Sequence, residues 1–249
     1  DHRDLHSFPT RRSSDLRVNS VYGTATLSYA NKIFLDVTGR NDWSSTLPSG
    51  NNSFFYPSVS TSFILSDLLR LPEQISFAKL RASWAQVGND TDPYKTAKYY
   101  NTSAFPGSAS VSPTLYNARF KPEISNSIEV GLDWRMFKQR FGLDLAFYNN
   151  ITRNQILDVP MDQTTGYTKA TMNSGKVRNR GIELQLDGTP VKTKNFTWNS
   201  TFTWAKNYNK VLSLAAGLTD GQTIAYTGGT NCALIAKVGG SIGDIYGYK

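Results

Sequence analysis

The sequence predicts an all-β protein, an antiparallel meander of about eight to nine strands. Three observations carry this prediction: apolar and polar residues alternate with a period of two, short and long connections alternate along the chain, and charged residues recur among the polar positions. Strict alternation is typical of strands with one apolar and one polar face. Helical spacing of apolar residues is almost absent, and only residues 66–71 indicate a short helical turn.

Each strand can be placed by this alternation. In the fifth strand, for example, Ile128, Val130 and Leu132 alternate with Glu129 and Asp133. The eight strands are predicted over 21–29, 33–38, 58–65, 79–84, 127–136, 141–148, 182–187 and 196–204, with a ninth beginning near Ala233 or Ile242.

The connections between the strands sort by length. Successive hairpins have a short turn at one end of the sheet and a long loop at the other. Outer-membrane barrels have this rhythm, whereas soluble sandwiches and propellers do not usually sort their loops so regularly. The short connections are predicted over 29–33, 137–141 and 190–196, with one of short to medium length over 67–74, and the long ones over 40–56, 88–122, 158–175 and 211–231.

The polar face of the predicted sheet carries charges in the middle of its strands. In a soluble sandwich these charges would face bulk water, whereas in a wide barrel they line a hydrated lumen. We expect the second arrangement, with the apolar face toward lipid. The polar residues predicted to face the lumen are Asp36, Arg81, Glu129, Asp133, Asp144 and Glu183.

Aromatic residues gather near both ends of the strands, where a barrel has interfacial girdles. The alternative is ordinary packing against a second sheet. Tyr29, Trp134, Phe137, Phe141, Phe196 and Trp198 lie near short turns, and Trp43, Phe54, Phe55 and Tyr56 lie near long loops.

Further charges lie near the long-loop ends, at the outer rim or upper lumen. They form either pairs that lock neighbouring strands or independent solvated charges, and the two interpretations have equal weight because exposed pairs contribute little. These residues are Arg40, Asp42, Glu123, Arg178, Arg180 and Glu183.

Residue types needed for catalysis are scarce. Both histidines lie within residues 1–16, and Cys232 is the single cysteine. Residues 17–249 therefore contain no Ser-His-Asp triad, no Cys-His pair and no His-ligated zinc. Glu129 and Asp133 are about 13 Å apart along one strand, too far for a glycosidase pair. We expect no enzyme, no cofactor, no catalytic or metal site, and we assign no role to Cys232.

The formal net charge is +8 at pH 7. Its lysines and arginines are scattered without a dense cluster, so a nucleic-acid partner is not expected. Anionic lipid headgroups or an acidic partner are easier uses of this charge.

The first sixteen residues differ from the rest. DHRDLHSFPTRRSSDL (1–16) resembles an in-frame translation of a short-read sequencing adapter. We expect a non-native, disordered leader and exclude it from the fold.

Seven motifs occur in order over residues 17–249. They are YANKIFLDVTGRNDWSS (29–45), FFYPSVSTSF (54–63), KLRASWAQVGN (79–89), KPEISNSIEVGLDW (121–134), YNNITRNQIL (148–157), NSGKVRNRGIELQL (173–186) and GGSIGDIYGY (239–248). In this order the set resembles the barrel of a SusC/RagA-type TonB-dependent outer-membrane transporter from Bacteroidota.

The resemblance implies an N-terminal plug domain inside a 22-stranded transmembrane barrel in the outer membrane. Residues 17–249 would then be a partial barrel, with the plug domain and both barrel ends missing. Such an open sheet is not expected to be stable alone in water, because its edges are unpaired and one face is apolar.

The resemblance also implies a function: active import of oligosaccharides or peptides, with a SusD-like surface lipoprotein over the barrel and the TonB complex acting through the missing N-terminal region. Alternatives are a passive porin-like outer-membrane channel and, more weakly, a soluble β-rich carbohydrate-binding module. Aromatic residues on the long loops are candidate contacts to ligand or lipoprotein. They are Trp43, Tyr94, Tyr99, Tyr100, Tyr116, Tyr167 and Tyr226.

Overall fold

The computed structural model describes residues 16–93, 95–96, 100–102, 107–214, 221–227 and 232–247. The predicted leader lies outside the described residues except for Leu16. The strands are β1 (Val18–Tyr29), β2 (Ile33–Ser44), β3 (Ser53–Ile64), β4 (Ile75–Asn89), β5 (Tyr100–Thr102), β6 (Ala109–Val111), β7 (Thr114–Leu115), β8 (Glu123–Met136), β9 (Phe141–Arg153), β10 (Ile156–Pro160), β11 (Lys169–Asn173), β12 (Lys176–Lys192), β13 (Thr197–Ser213), β14 (Gln222–Thr227), β15 (Cys232–Ala236) and β16 (Ile245–Gly247). One helical turn, α1 (Leu65–Leu68), and a 3₁₀ turn at Gln163–Thr165 complete the described elements.

The long strands form one eight-stranded antiparallel sheet in the order β1-β2-β3-β4-β8-β9-β12-β13. Each neighbour in the sheet is the next long strand along the chain, so the predicted meander is confirmed. The region predicted to start a ninth strand belongs elsewhere: β15 and β16 pair with β14 in a separate three-stranded sheet.

Tight turns join the strands at one end of the sheet. Ala30 and Asn31 have φ of 51° and 56° between β1 and β2, and Phe137 and Lys138 have φ of 52° and 57° between β8 and β9. Left-handed backbone at such positions is uncommon outside glycine and is accepted here because it reverses the chain within a few residues. The opposite end collects the long connections.

The long connections contain small sheets of their own. Strands β10, β11 and β7 form one, and β5 and β6 form another. The third, β14-β15-β16, brings Ala236 against Val177 and Val211, which are buried, with Leu214 and Ile242 packed beside them. This cluster fixes the last loop against the upper ends of β12 and β13.

The register separates the two faces of the large sheet. We call them the apolar face and the polar face. On the apolar face Leu145 lies opposite Leu184, which lies opposite Trp204. These side chains remain exposed: Leu145 is 38% exposed, Phe147 47% and Trp204 46%. A broad exposed apolar surface of this kind marks contact with another apolar phase or partner.

The described part of the chain holds no helix that is both long and apolar enough to cross a membrane.

Candidate functional site: the polar face of the sheet

The polar face collects the charges that the sequence predicts for a lumen. Arg81 on β4 lies opposite Gly131 on β8, which lies opposite Ala146 on β9, which lies opposite Glu183 on β12. Adjacent rows on the same face carry the other predicted residues: Asp36, Glu129, Asp133 and Asp144.

Arg81 bridges three strands. Its Nη2 donates to Asp144 Oδ1 at 2.7 Å and its Nη1 donates to Asp144 Oδ2 at 3.2 Å, while its Nε lies 3.9 Å from Glu129. The guanidinium passes directly over Gly131, where a Cβ would come within 2.4 Å of Nε. Because glycine has no side chain, Arg81 on β4 can reach Asp144 on β9 across the intervening strand β8.

A second bridge repeats this arrangement nearer the short turns. Arg135 Nε lies 2.8 Å from Asp133, and Arg135 Nη1 lies 3.6 Å from Asp187 on β12. It passes over Gly142, where a Cβ would come within 2.6 Å of Nη1. Neither Arg135 nor Asp187 was predicted from the sequence as a lumen-facing residue. The available signal was an arginine whose cross-strand neighbour is a glycine.

A third cluster lies near the long-loop end of β1–β3. Arg40 donates to Asp42 at 2.8 Å and to Ser20 at 2.9 Å, and Tyr56 donates a very short hydrogen bond to Asp42. Tyr56 was predicted as an interfacial aromatic, and this prediction is wrong: its hydroxyl binds a buried carboxylate on the polar face. Phe54 stacks on Tyr56, whereas Phe55 is 61% exposed.

Asp36 is held by hydroxyl groups. Thr26 Oγ1 donates to it at 2.7 Å and Ser60 Oγ at 3.4 Å. Glu183, in contrast, is exposed and forms no ion pair with any described residue. It borders a concavity of about 410 Å³ that also has Arg81, Glu129 and Asp144 in its wall. Three carboxylates and one guanidinium line this hollow in the polar face, so its net charge is negative.

The predicted rim charges do not form one group. Arg40 and Asp42 are paired, and Glu123 accepts hydrogen bonds from the Ile156 amide at 2.6 Å and from Asn89 at 3.4 Å. Arg178 and Arg180 alternate with the polar-face residues of β12 and lie on the apolar face instead. For these two residues the upper lumen is therefore excluded and the outer rim stays a prediction, because the alternation of β12 extends back to its first residues.

The candidate contact aromatics are dispersed. Trp43 is the last residue but one of β2 and is 40% exposed, Tyr100 in β5 is 64% exposed, and Tyr116 and Tyr167 are half-buried around the pairing of β7 with β11. Tyr94 and Tyr99 lie outside the described residues, as does the side chain of Tyr226, whose backbone is part of β14. Their role in contacting ligand or lipoprotein stays a prediction.

One carboxylate in the loops is also well held. Lys169 Nζ lies 2.6 Å from Asp158 Oδ2, and Thr171 Oγ1 donates to Asp158 Oδ1 at 2.6 Å. Burial alone would raise the pKa of Asp158, but these hydrogen bonds outweigh it and lower the pKa. The interaction ties β10 to β11.

These groups form a fixed, hydrated surface. The guanidinium groups of Arg81 and Arg135 reach over glycines and connect strands that are not direct neighbours. The remaining hydroxyls, amides and carboxylates of this face keep it hydrated. Within the described ranges, no group of three or more His, Cys, Asp or Glu side chains is arranged to hold a metal ion.

A meander with short turns at one end, one exposed apolar face and one charged face defines a segment of a transmembrane β-barrel wall. Residues 4–248 match the family model described as TonB dependent receptor-like, beta-barrel. The chain belongs to this family of receptors and transporters, and its place is the outer membrane.

Several known proteins are similar to this chain. TonB-dependent receptor P26 of Formosa agariphila is 33% identical over 223 residues, which is 84% of this chain and 22% of that protein. TonB-dependent receptor SusC of Bacteroides thetaiotaomicron is 25% identical over 86% of this chain and 22% of its own length. A solved structure of the RagAB peptide transporter shares the fold with a TM-score of 0.81 and 22% identity, over 91% of this chain and 25% of that one. The chain thus spans about a quarter of the length of these relatives.

Proposed function

We propose that this chain is part of the barrel wall of a TonB-dependent importer of oligosaccharides or peptides. In this proposal the polar face lines the lumen, and a plug domain elsewhere in the protein gates it. The observation that carries the proposal is the polar face itself: fixed ionic bridges lie on one side of a sheet whose other side is exposed and apolar. A soluble domain would have to cover that apolar side, whereas lipid covers it in a barrel.

The proposed substrate class and partner draw on the relatives. SusC is among the similar proteins, and the similar RagAB structures are those of a peptide transporter and a peptide importer. For this protein we propose a SusD-like surface lipoprotein over the long-loop end and energy coupling through the TonB complex. The wall contributes no step of chemical conversion, so we propose transport without enzymatic activity.

A passive porin-like channel remains the second candidate, since the same two-faced wall would serve it. The two candidates differ in energy dependence. Uptake of labelled oligosaccharides and oligopeptides of graded length would be measured in cells with the full-length gene, with that gene deleted, and with TonB removed. Import predicts that cells with the full-length gene take up at least one of the two substrate series. It also predicts that deletion of the gene and removal of TonB each abolish this uptake.

The passive channel predicts uptake that survives loss of TonB and of the proton gradient. Such a result would overturn the import proposal. The lipoprotein is tested separately, by co-purification of the tagged full-length barrel with the product of a neighbouring lipoprotein gene. If the lipoprotein does not co-purify with the folded barrel from a mild-detergent extract, the proposal of a lipoprotein partner is refuted.

A further inference from the structure

The apolar face changes character near the long-loop ends of β9, β12 and β13. Beside Leu184 the face is apolar, but from the next row upward basic residues appear on it. We call this group the basic rim. It consists of Arg153, Lys176, Arg178, Arg180, Lys206 and Lys210.

The register places the basic rim in four successive rows. Lys206 lies opposite Ile182, Lys210 lies opposite Arg178, and Lys176 lies opposite Arg153, while Arg180 occupies the row between the first two pairs. Rows on one face are about 7 Å apart and strands about 5 Å apart, so the rim covers roughly 20 Å by 10 Å. Cations at this density repel one another unless an anion lies among them.

No carboxylate compensates the basic rim within the described sheet. The paired positions of its apolar face contain neither Asp nor Glu, and none of the six cations forms an ion pair with a described residue. In addition, the Nε atom of Arg178 is enclosed and has no hydrogen-bond partner in the part of the chain described. The arginines of the polar face, in contrast, are held by carboxylates, as Arg81 and Arg135 show.

The height of the basic rim matches a membrane interface. Along β13 the aromatic band runs from Trp198 to Tyr208, which is roughly 33 Å of strand and about 25 Å along the normal of a barrel tilted by about 40°. Lys206 Nζ lies 5.0 Å from the Tyr208 ring centroid, and Tyr208 is 52% exposed. An exposed tyrosine with a cation beside it is typical of the headgroup level.

We propose that the basic rim binds phosphate-bearing lipid headgroups of the outer leaflet. The charges lie on the side that faces lipid, directly above the exposed side chains of Phe147 and Trp204, so a partner there must be apolar below and anionic above. A phosphorylated lipid has both properties, and arginine binds phosphate through two parallel hydrogen bonds. An acidic protein would meet only the upper half of this surface. The proposal depends on the outer-membrane location and not on import.

The test uses the purified full-length protein in detergent micelles, titrated with fluorescently labelled lipid A. The variant R180Q/K206Q/K210Q removes three exposed rim cations. The matched control, K138Q/K192Q/K194Q, removes three exposed cations at the short-turn end. If each cation contributes about fivefold near a charged surface, the ceiling for three cations is about 125-fold. We expect the rim variant to bind at least tenfold more weakly than wild type, and the control to bind within twofold of it.

Two further titrations identify the ligand chemistry. Dephosphorylated lipid A should bind wild type no more tightly than it binds the rim variant, and 10 mM inorganic phosphate should leave most of the lipid bound. Equal loss in both triple variants, binding of dephosphorylated lipid A to wild type as tight as that of lipid A, or full displacement of the lipid by inorganic phosphate would each overturn the proposal.

Folding of every variant is checked by heat-modifiable gel mobility. Should the triple rim variant not fold, Lys210→Gln and the charge-retaining Lys210→Arg are compared singly. The first should lose about fivefold in affinity and the second should not. Equal affinities for the two would also reject the basic rim as a phosphate-binding surface.

Discussion

Replacing Gly131 by alanine should destabilise the barrel by about 1 kcal/mol, and prior removal of Arg81 should reverse the sign of that effect. The added Cβ would lie 2.4 Å from Arg81 Nε and 2.6 Å from its Cζ, so the guanidinium must leave its place. It then loses two charge-assisted hydrogen bonds to Asp144, at 2.7 and 3.2 Å.

The magnitude follows from the exposure of that pair. The side chains of Arg81 and Asp144 are 34% and 33% exposed, so the loss lies between that of a surface pair and a buried one, about 1–2 kcal/mol. Alanine in place of glycine returns about 0.5–1 kcal/mol by restricting the unfolded chain. In an Arg81→Ala background only this second effect remains, and Gly131→Ala becomes stabilising.

The assay is a double-mutant cycle on the full-length protein in detergent micelles, with the folded fraction followed against urea concentration. Gly23→Ala is the control, because a Cβ there has no described atom within 4 Å. An equal cost of Gly131→Ala with and without Arg81 would refute the reasoning, since it would mean that the glycine does not serve the arginine.

Three further outcomes are expected. Gly181→Ala should cost about 2 kcal/mol or more and should not be rescued by a Tyr148 variant, because its Cβ would also meet the backbone oxygen of Lys206 at 2.5 Å; the same urea titration measures it. Leu145→Arg should cost about 2–4 kcal/mol at mid-membrane, while Glu183→Arg should change the stability by less than about 1 kcal/mol, and similar costs would contradict the assignment of the faces. Since the folded pKa of Asp158 is lowered, its contribution to stability is present above its ordinary value of 3.8 and is lost as pH falls through the folded value; the hydrogen-exchange protection factors of residues 156–173, taken relative to the intrinsic exchange rate at each pH, should therefore decrease at low pH in wild type, and an unchanged profile in Asp158→Asn would refute this.

The strands themselves were accessible from the sequence. Alternation such as that of Ile128, Val130 and Leu132 with Glu129 and Asp133 is a local property, and it predicted the strand that the structure forms as β8. The order of the sheet was also accessible, because short turns force consecutive strands to pair. The small loop sheets could not be predicted from the sequence. Strand β7 pairs with β11 across more than fifty intervening residues, and no local pattern indicates this pairing.

The candidate site could be predicted only in part from the sequence. The charges of the polar face were predicted one by one, but their partners were not, because partnership depends on register between strands. Arg135 and Asp187 meet through rows that include Gly142, and no spacing within one strand shows this. Tyr56 was misassigned for the same reason: its neighbour Asp42 lies on another strand.

By itself the sequence determined the two-faced strands, their meander and the family, since each depends on local periodicity or on ordered motifs. The tertiary structure alone decided which charges neutralise one another and which do not. Cross-strand register brings Arg81 to Asp144 over Gly131, and it leaves Arg180 and Lys210 on the apolar face without a carboxylate among the described residues. The physical reason is that a side chain's direction is fixed by its own strand, whereas its electrostatic partner is fixed by the strands beside it.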